Sequence, residues 1–131
     1  MRDMYIRFTT SLQDDENGQP LGIFSAAYHL LDNEAIEDYQ WQEIRTTLDW
    51  FNDYLEAPLT FRRTANYNRQ DTGVCWFKPS AKACMSQVRY LAHLVSEHDI
   101  EVRELKTDNP GYLIWEDYQQ VVAEPFATTP R

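Results

Sequence analysis

Residues 101–124, EVRELKTDNPGYLIWEDYQQVVAE, decide the fold class. Two short β-rich runs, Glu101 to Thr107 and Tyr112 to Glu116, flank Asp108-Asn109-Pro110-Gly111, whose Pro and Gly make a strong turn signal. A second polar break, Glu116 to Gln119, precedes the apolar run Gln120 to Glu124, and Pro125 closes it. The pattern predicts a hairpin extended into a three-stranded meander, hence antiparallel pairing in the C-terminal third. Residues 127–131 are expected to fray, as exposed polar termini do.

Working back along the chain, Pro79 and the candidate N-cap Ser80 predict a helix from about Ala81 to His98. Its inner stripe is Cys84, Val88, Leu91 and Val95. Val74 to Phe77 is compact and apolar and admits a short strand feeding that helix. Phe61 to Gly73 has no clean period and reads as a long irregular connection with room for one edge strand. The clearest helix runs from about Asp38 to Glu56, where Trp41, Ile44, Leu48, Phe51 and Leu55 recur at spacings of 3 and 4, and Pro58 stops it. A coiled-coil seam has the same spacing, but two heptads without continuation favour core packing. Leu21 to Leu31 predicts a short helix with Phe24, Ala27, Tyr28 and Leu31 on one stripe. Ser11 to Pro20, holding Asp14-Asp15-Glu16-Asn17-Gly18, reads as a solvated loop. Met4 to Thr10 alternates as a strand.

These elements predict an α+β layer structure: a mainly antiparallel sheet of about four strands with three helices on one face, in the order β-α-α-α-β-β-β. A chain of 131 residues is expected to form a single domain spanning 1–131, with 1–3 and 127–131 frayed. Its 43% apolar and 14% aromatic content, with only 4 Gly and 6 Pro, excludes disordered, collagen-like and low-complexity classes.

Twelve basic against 21 acidic side chains give a net charge of -9, which opposes general binding to phosphate backbones or anionic membranes. The charge is unevenly placed. Residues 1–60 hold 3 basic and 12 acidic side chains, and residues 90–131 hold 3 and 8. Between them, Arg62, Arg63, Arg69, Lys78, Lys82 and Arg89 face Asp71 alone. Two cysteines are too few for a disulfide framework and no export signal stands at the N-terminus, so a reducing cytoplasm is expected. No apolar run is long enough to span a membrane.

Chemistry-bearing residues are sparse. His29, His93 and His98 are the only histidines; His93 and His98 are five apart on a helix, so they point to different faces, and no CxxC, HExxH or EF-hand pattern occurs. No metal or cofactor is expected. Cys75 with His93 as base would be a nucleophilic pair, against the plainer reading of Cys75 and Cys84 as small buried hydrophobes. Glu34 with Asp38, and Glu116 with Asp117, are carboxylate pairs, but helix starts and turns attract acids for dipole and solvation reasons alone.

Two binding readings remain. In the first, Arg62, Arg63, Arg69, Trp76, Lys78, Lys82 and Arg89 contact a negatively charged or phosphate-bearing partner, with Tyr67, Trp76 and Phe77 interleaved to stack a base or anchor a protein. Its plainer counterpart has those cations compensated within the protein or facing solvent. In the second, the acidic residues 14–56 dock a basic partner, as a nucleic-acid-mimicking inhibitor would; a merely solvated acidic face is its counterpart. A protein partner heads both, with nucleic acid or a phosphate ligand open to the first. An exposed Trp50, Trp76 or Trp115 would hint at binding, and a buried one would be core.

Met4-Tyr5-Ile6-Arg7-Phe8, Gly22-Ile23-Phe24, Asp49-Trp50-Phe51, Trp76-Phe77-Lys78 with Ser80-Ala81, Pro110-Gly111-Tyr112 and Val121-Val122-Ala123-Glu124-Pro125-Phe126 resemble an uncharacterised family of small bacterial hypothetical proteins met in cyanobacteria and proteobacteria. The resemblance covers nearly the whole chain from Met4 and implies that Met4 matches the usual start. It implies no catalytic residue, cofactor or substrate.

Overall fold

The computed structural model describes residues 4–15, 18–32, 36–55 and 73–130. Along them run β1 (Tyr5–Gln13), β2 (Pro20–Gly22), α1 (Ile23–Leu31), α2 (Asp38–Tyr54), β3 (Val74–Phe77), α3 (Lys82–Ser96), β4 (Val102–Thr107), β5 (Tyr112–Glu116) and β6 (Gln120–Glu124). The protein is α+β, with three helices among the described residues, and the strands pair in the order β2-β1-β3-β6-β5, with β4 on β1. Every pairing of resolved register, β1 with β2 and β3, and β6 with β3 and β5, is antiparallel.

Two compact units divide the chain: one of Met1–Arg7, Ala57–Met85 and Leu105–Pro130, the other of Phe8–Glu56, Ser86–Glu104 and Arg131. Three of the boundaries fall inside β1, α3 and β4.

In the first unit, β3 lies between β1 and β6, with Ile6 opposite Phe77 and Trp76 opposite Val121. A strand with neighbours on both edges suits a short apolar run, and Trp76 and Phe77 are buried with Val121, Val122 and Ala123 of β6. At the close of β5–β6, Gly111 sits at φ +122, and a Cβ there would overlap the carbonyl of Glu124. Only glycine fits both the backbone angle and the approach.

The second unit pairs Thr9 of β1 with Gly22 and Gln13 with Pro20. Its helices α1 and α2 pack through an edge-to-face contact of Phe24 and Phe51, centroids 4.9 Å apart, and a bond from Trp41 Nε1 to the Leu31 carbonyl at 3.0 Å. Ile44, Leu48 and Phe51 are buried as their spacing predicts, while Trp41 is only half-buried and Leu55 has left the helix.

Several expectations change. Among the described residues there are six strands rather than about four. Inside the predicted loop at 11–20, β1 runs on to Gln13 and β2 begins at Pro20, with Asp14 N bonded to Gln19 O at 2.8 Å and Gly18 at φ +70. Polar Ser11 and Gln13 disguise the strand because they face solvent there, while Thr10 Oγ1 binds the Leu21 carbonyl. The hairpin through 108–111 does not form, because β4 pairs with β1 and β5 with β6. Thr107 Oγ1 instead accepts the Asn109 amide at 3.0 Å, a local turn that competes with strand pairing. On α1 the buried residues are Ile23, Ala26, Ala27 and Leu30, so the stripe is rotated and Tyr28 is exposed. Helix α3 starts at Lys82 after a turn in which Ala81 N bonds Lys78 O, so Ser80 lies in that turn, and the helix stops at Ser96. In the C-terminal segment Thr129 is buried, its Oγ1 accepting from Phe126 N and donating to Asn109 O.

Candidate functional site

Of the basic segment, Arg62, Arg63 and Arg69 lie outside the described residues, as do Tyr67 and Asp71, the Phe61–Gly73 connection before Gly73, and Glu34. Trp76 is 0% exposed and is therefore core, with no hydrogen-bond acceptor for its Nε1 among the described residues. Lys78 Nζ lies 2.7 Å from Glu116. Lys82 is exposed, at the start of α3, without an ion pair among the described residues. Arg89 Nη2 lies 3.2 Å from Glu104. Two of the four described members thus meet the protein's own carboxylates. Lys78 and Lys82 belong to the first unit and Arg89 to the second.

The thiols are placed as small hydrophobes. Burial, then the Asp117 and Cys84 charges, pushes the Cys75 thiol up to about 12 despite an opposing effect of Arg7, and the thiol donates to Gln120 Oε1. Burial likewise pushes Cys84 up to about 11. A nucleophile needs the thiolate, which both environments suppress at neutral pH. His93, the suggested base, belongs to the second unit, its Nε2 3.7 Å from Glu97 in the turn that follows α3.

Neither carboxylate of the Glu116–Asp117 pair is arranged for acid–base chemistry: Glu116 meets Lys78, and Asp117 Oδ1 caps the β5–β6 turn by accepting from Gln119 N at 2.8 Å and Gln120 N at 2.9 Å. Among the described residues no group of three or more His, Cys, Asp or Glu is placed to hold a metal ion. Nor is any described helix long and apolar enough to cross a membrane.

Charge is sorted between the two units as well as along the chain. By sequence the first unit holds 8 basic and 6 acidic side chains, net +2, and the second 4 basic and 15 acidic, net -11. Helix α2 carries much of the exposed acid, with Asp38, Glu43, Asp49 and Asp53 against Arg45 alone.

Aromatic rings stand beside those carboxylates. Tyr39, Glu43, Trp50 and Tyr54 follow one another at helical spacings of 4, 7 and 4 residues on one flank of α2, off the buried stripe. Tyr39 is 65% and Tyr54 47% exposed, and Trp50 is half-buried. Trp50 and Tyr54 are stacked, centroids 4.5 Å apart and planes 15° from parallel. From α3, Tyr90, 44% exposed, hydrogen-bonds Glu43; partial desolvation and that carboxylate raise its phenol above the ordinary value. The sequence carried the signal for this flank in the spacing of its aromatics, but the stronger period of Trp41, Ile44, Leu48 and Phe51 masked it.

Arg45, on the neighbouring side of α2, is itself received by this surface. Its Nε and Nη2 both donate to Asp49 Oδ1, at 3.0 and 2.6 Å, and its guanidinium lies over the Tyr28 ring, 6.0 Å from the centroid. Tyr28 Oη in turn accepts from Asn52 Nδ2 at 3.1 Å, which fixes the ring.

An open groove of about 650 Å³ lies between α3 and the segment entering β4, over buried Phe8 and Ile100. Of its charged walls, Arg89 and Glu104 bind one another, while Asp99 and Glu101 add two further carboxylates. The α2 flank keeps Asp38 and Asp53 without ion pairs among the described residues.

Comparison of the chain with protein-family models, with curated proteins and with solved structures finds no match.

Proposed function

We propose that the protein works by binding rather than by catalysis, and that a basic protein partner docks on its acidic N-terminal surface, centred on the Tyr39–Tyr54 flank of α2. The observation that carries this reading is the coincidence, on one helix of the unit with net charge -11, of exposed tyrosines with carboxylates that have no ion pair among the described residues. Acid alone is what solubility demands. Tyrosine and tryptophan add large, stiff contact area at low entropic cost, which is what interface anchors supply.

Long-range attraction acts mainly on the encounter, so neutralising Glu37, Asp38 and Asp53 together should slow association with a cationic probe more than it speeds dissociation. Stopped-flow mixing with a labelled polycationic peptide, at low and raised salt, measures both rates. An unchanged association rate would overturn the reading.

A negatively charged or phosphate-bearing partner at residues 62–89 is the second reading, and exposed Lys82 favours it. Against it stand the Lys78–Glu116 and Arg89–Glu104 pairs and the burial of Trp76, which leave fewer groups to offer a phosphate. Its test is the Arg62→Ala/Arg63→Ala variant, whose affinity for a phosphate-rich polymer and salt slope should both fall.

A further inference from the structure

Resting on that reading, we infer that the α2 flank selects arginine over lysine, and that the cations it receives are guanidinium groups stacked on the Trp50–Tyr54 ring pair. A basic partner would satisfy the carboxylates with either residue. The rings discriminate: a planar, weakly hydrated guanidinium lies flat on an aromatic face while its N–H fork reaches a carboxylate, whereas an ammonium holds its water and has no plane to stack.

Two observations point this way. Trp50 and Tyr54 are stacked face to face and Tyr54 is 47% exposed, so a guanidinium would extend the stack on the outer face of Tyr54, with Asp53 adjoining it in sequence. The protein also displays the same arrangement with its own side chain, since Arg45 bonds Asp49 while lying over Tyr28. A ring and a carboxylate on these helices therefore already hold one guanidinium. The Trp50–Tyr54 flank repeats that chemistry without an internal arginine among the described residues, and its charge calls for one from outside.

Full-length protein is titrated with two fluorescent peptides of equal length and charge, one bearing arginines separated by glycines, the other lysines at the same places. The arginine peptide should bind about three- to tenfold more tightly. Tyr54→Leu should remove most of that preference while leaving the lysine peptide's affinity within about twofold. Trp50→Phe, which keeps a ring packed on Phe51, should reduce it in part, and far-ultraviolet circular dichroism confirms that both variants fold. Equal binding of the two peptides, or a preference that survives Tyr54→Leu, overturns the inference and leaves the basic-partner reading standing. Binding of neither peptide overturns both. Binding that appears only after Arg62, Arg63 and Arg69 are changed to Ala would assign the face to the chain's own cations and overturn the external partner.

Discussion

Cys75 on β3 gives its thiol proton to Gln120 Oε1 at the start of the neighbouring strand β6. Burial, aided by the Asp117 and Cys84 charges and opposed by Arg7, holds the thiol neutral to about pH 12. In the unfolded chain the same thiol ionises near 9.0. Above that value the unfolded state has shed a proton that the native state keeps, so stability must fall as pH rises. Cys84, raised to about 11, acts with the same sign. Between about pH 8 and 10, urea midpoints should drop, each thiol removing up to about 1.4 kcal/mol per pH unit once its unfolded form has ionised. Cys84→Ala should make the slope shallower whatever it does to absolute stability. A slope unaffected by that change would contradict the assignment.

Iodoacetamide gives an independent reading of the same environment. Both cysteines should react far more slowly than a model thiol in native protein at neutral pH, and at the model rate in urea. Rapid native alkylation of Cys75 would return it to the list of candidate nucleophiles.

Gly111 and Gly18 both occupy the left-handed region, yet they differ in surroundings. An added Cβ at Gly18 meets open space, so Gly18→Ala should cost about 1 kcal/mol for the backbone alone. At Gly111 it would meet the Glu124 backbone, and the strand end has to move. Gly111→Ala should therefore cost about 2 kcal/mol or more, read from thermal unfolding of the two variants side by side. Equal losses would mean that the β5–β6 end yields without strain.

The contrast between local and non-local information explains how much of this was legible. The three helices were marked by their 3–4 periodicity, and α2 by the strongest one, because burial of one stripe leaves its mark on neighbouring letters. Strand partnership leaves no such mark: nothing in VRELKT says that β4 joins β1, some ninety residues away, rather than β5 next door. The strand at Ser11–Gln13 was hidden because its outward residues are as polar as a loop's. Trp50 and Tyr54 were visible as letters, but their stacking depends on χ angles that spacing does not encode. The charge sorting was half visible as the acidic first 60 residues. Its full extent needed the fold, which gathers 97–104 with them.

Lys78–Glu116 and Arg89–Glu104 are surface pairs, each with one partner at least a third exposed, and their energetic worth should be small. Double-mutant cycles using Lys78→Met with Glu116→Gln, and Arg89→Met with Glu104→Gln, should give couplings of about 0.2–1 kcal/mol that shrink as salt rises. Their role is to occupy cations. Breaking either pair should therefore change affinity for a phosphate-rich polymer only by way of the carboxylate: Glu116→Gln or Glu104→Gln should raise it by freeing Lys78 or Arg89. No rise in either variant would remove these residues from the phosphate-binding reading altogether.

Arg45 offers the complementary test of the acidic face. Replacing it by Met removes the guanidinium from Asp49 and Tyr28 while keeping much of its aliphatic stem. The helix loses a solvent-screened i,i+4 pair, a small cost for a helix anchored by buried Ile44, Leu48 and Phe51. The surface gains one unit of negative charge and an unoccupied ring beside a carboxylate. An arginine peptide should then bind about two- to fivefold more tightly to Arg45→Met than to the original protein, chiefly through faster association, and the gain should fade at high salt. Arg45→Lys, which keeps the charge, should show much less of it. A weaker association for Arg45→Met would mean that Arg45 orders the docking surface instead of competing for it, and the cationic partner would have to be sought elsewhere on the molecule.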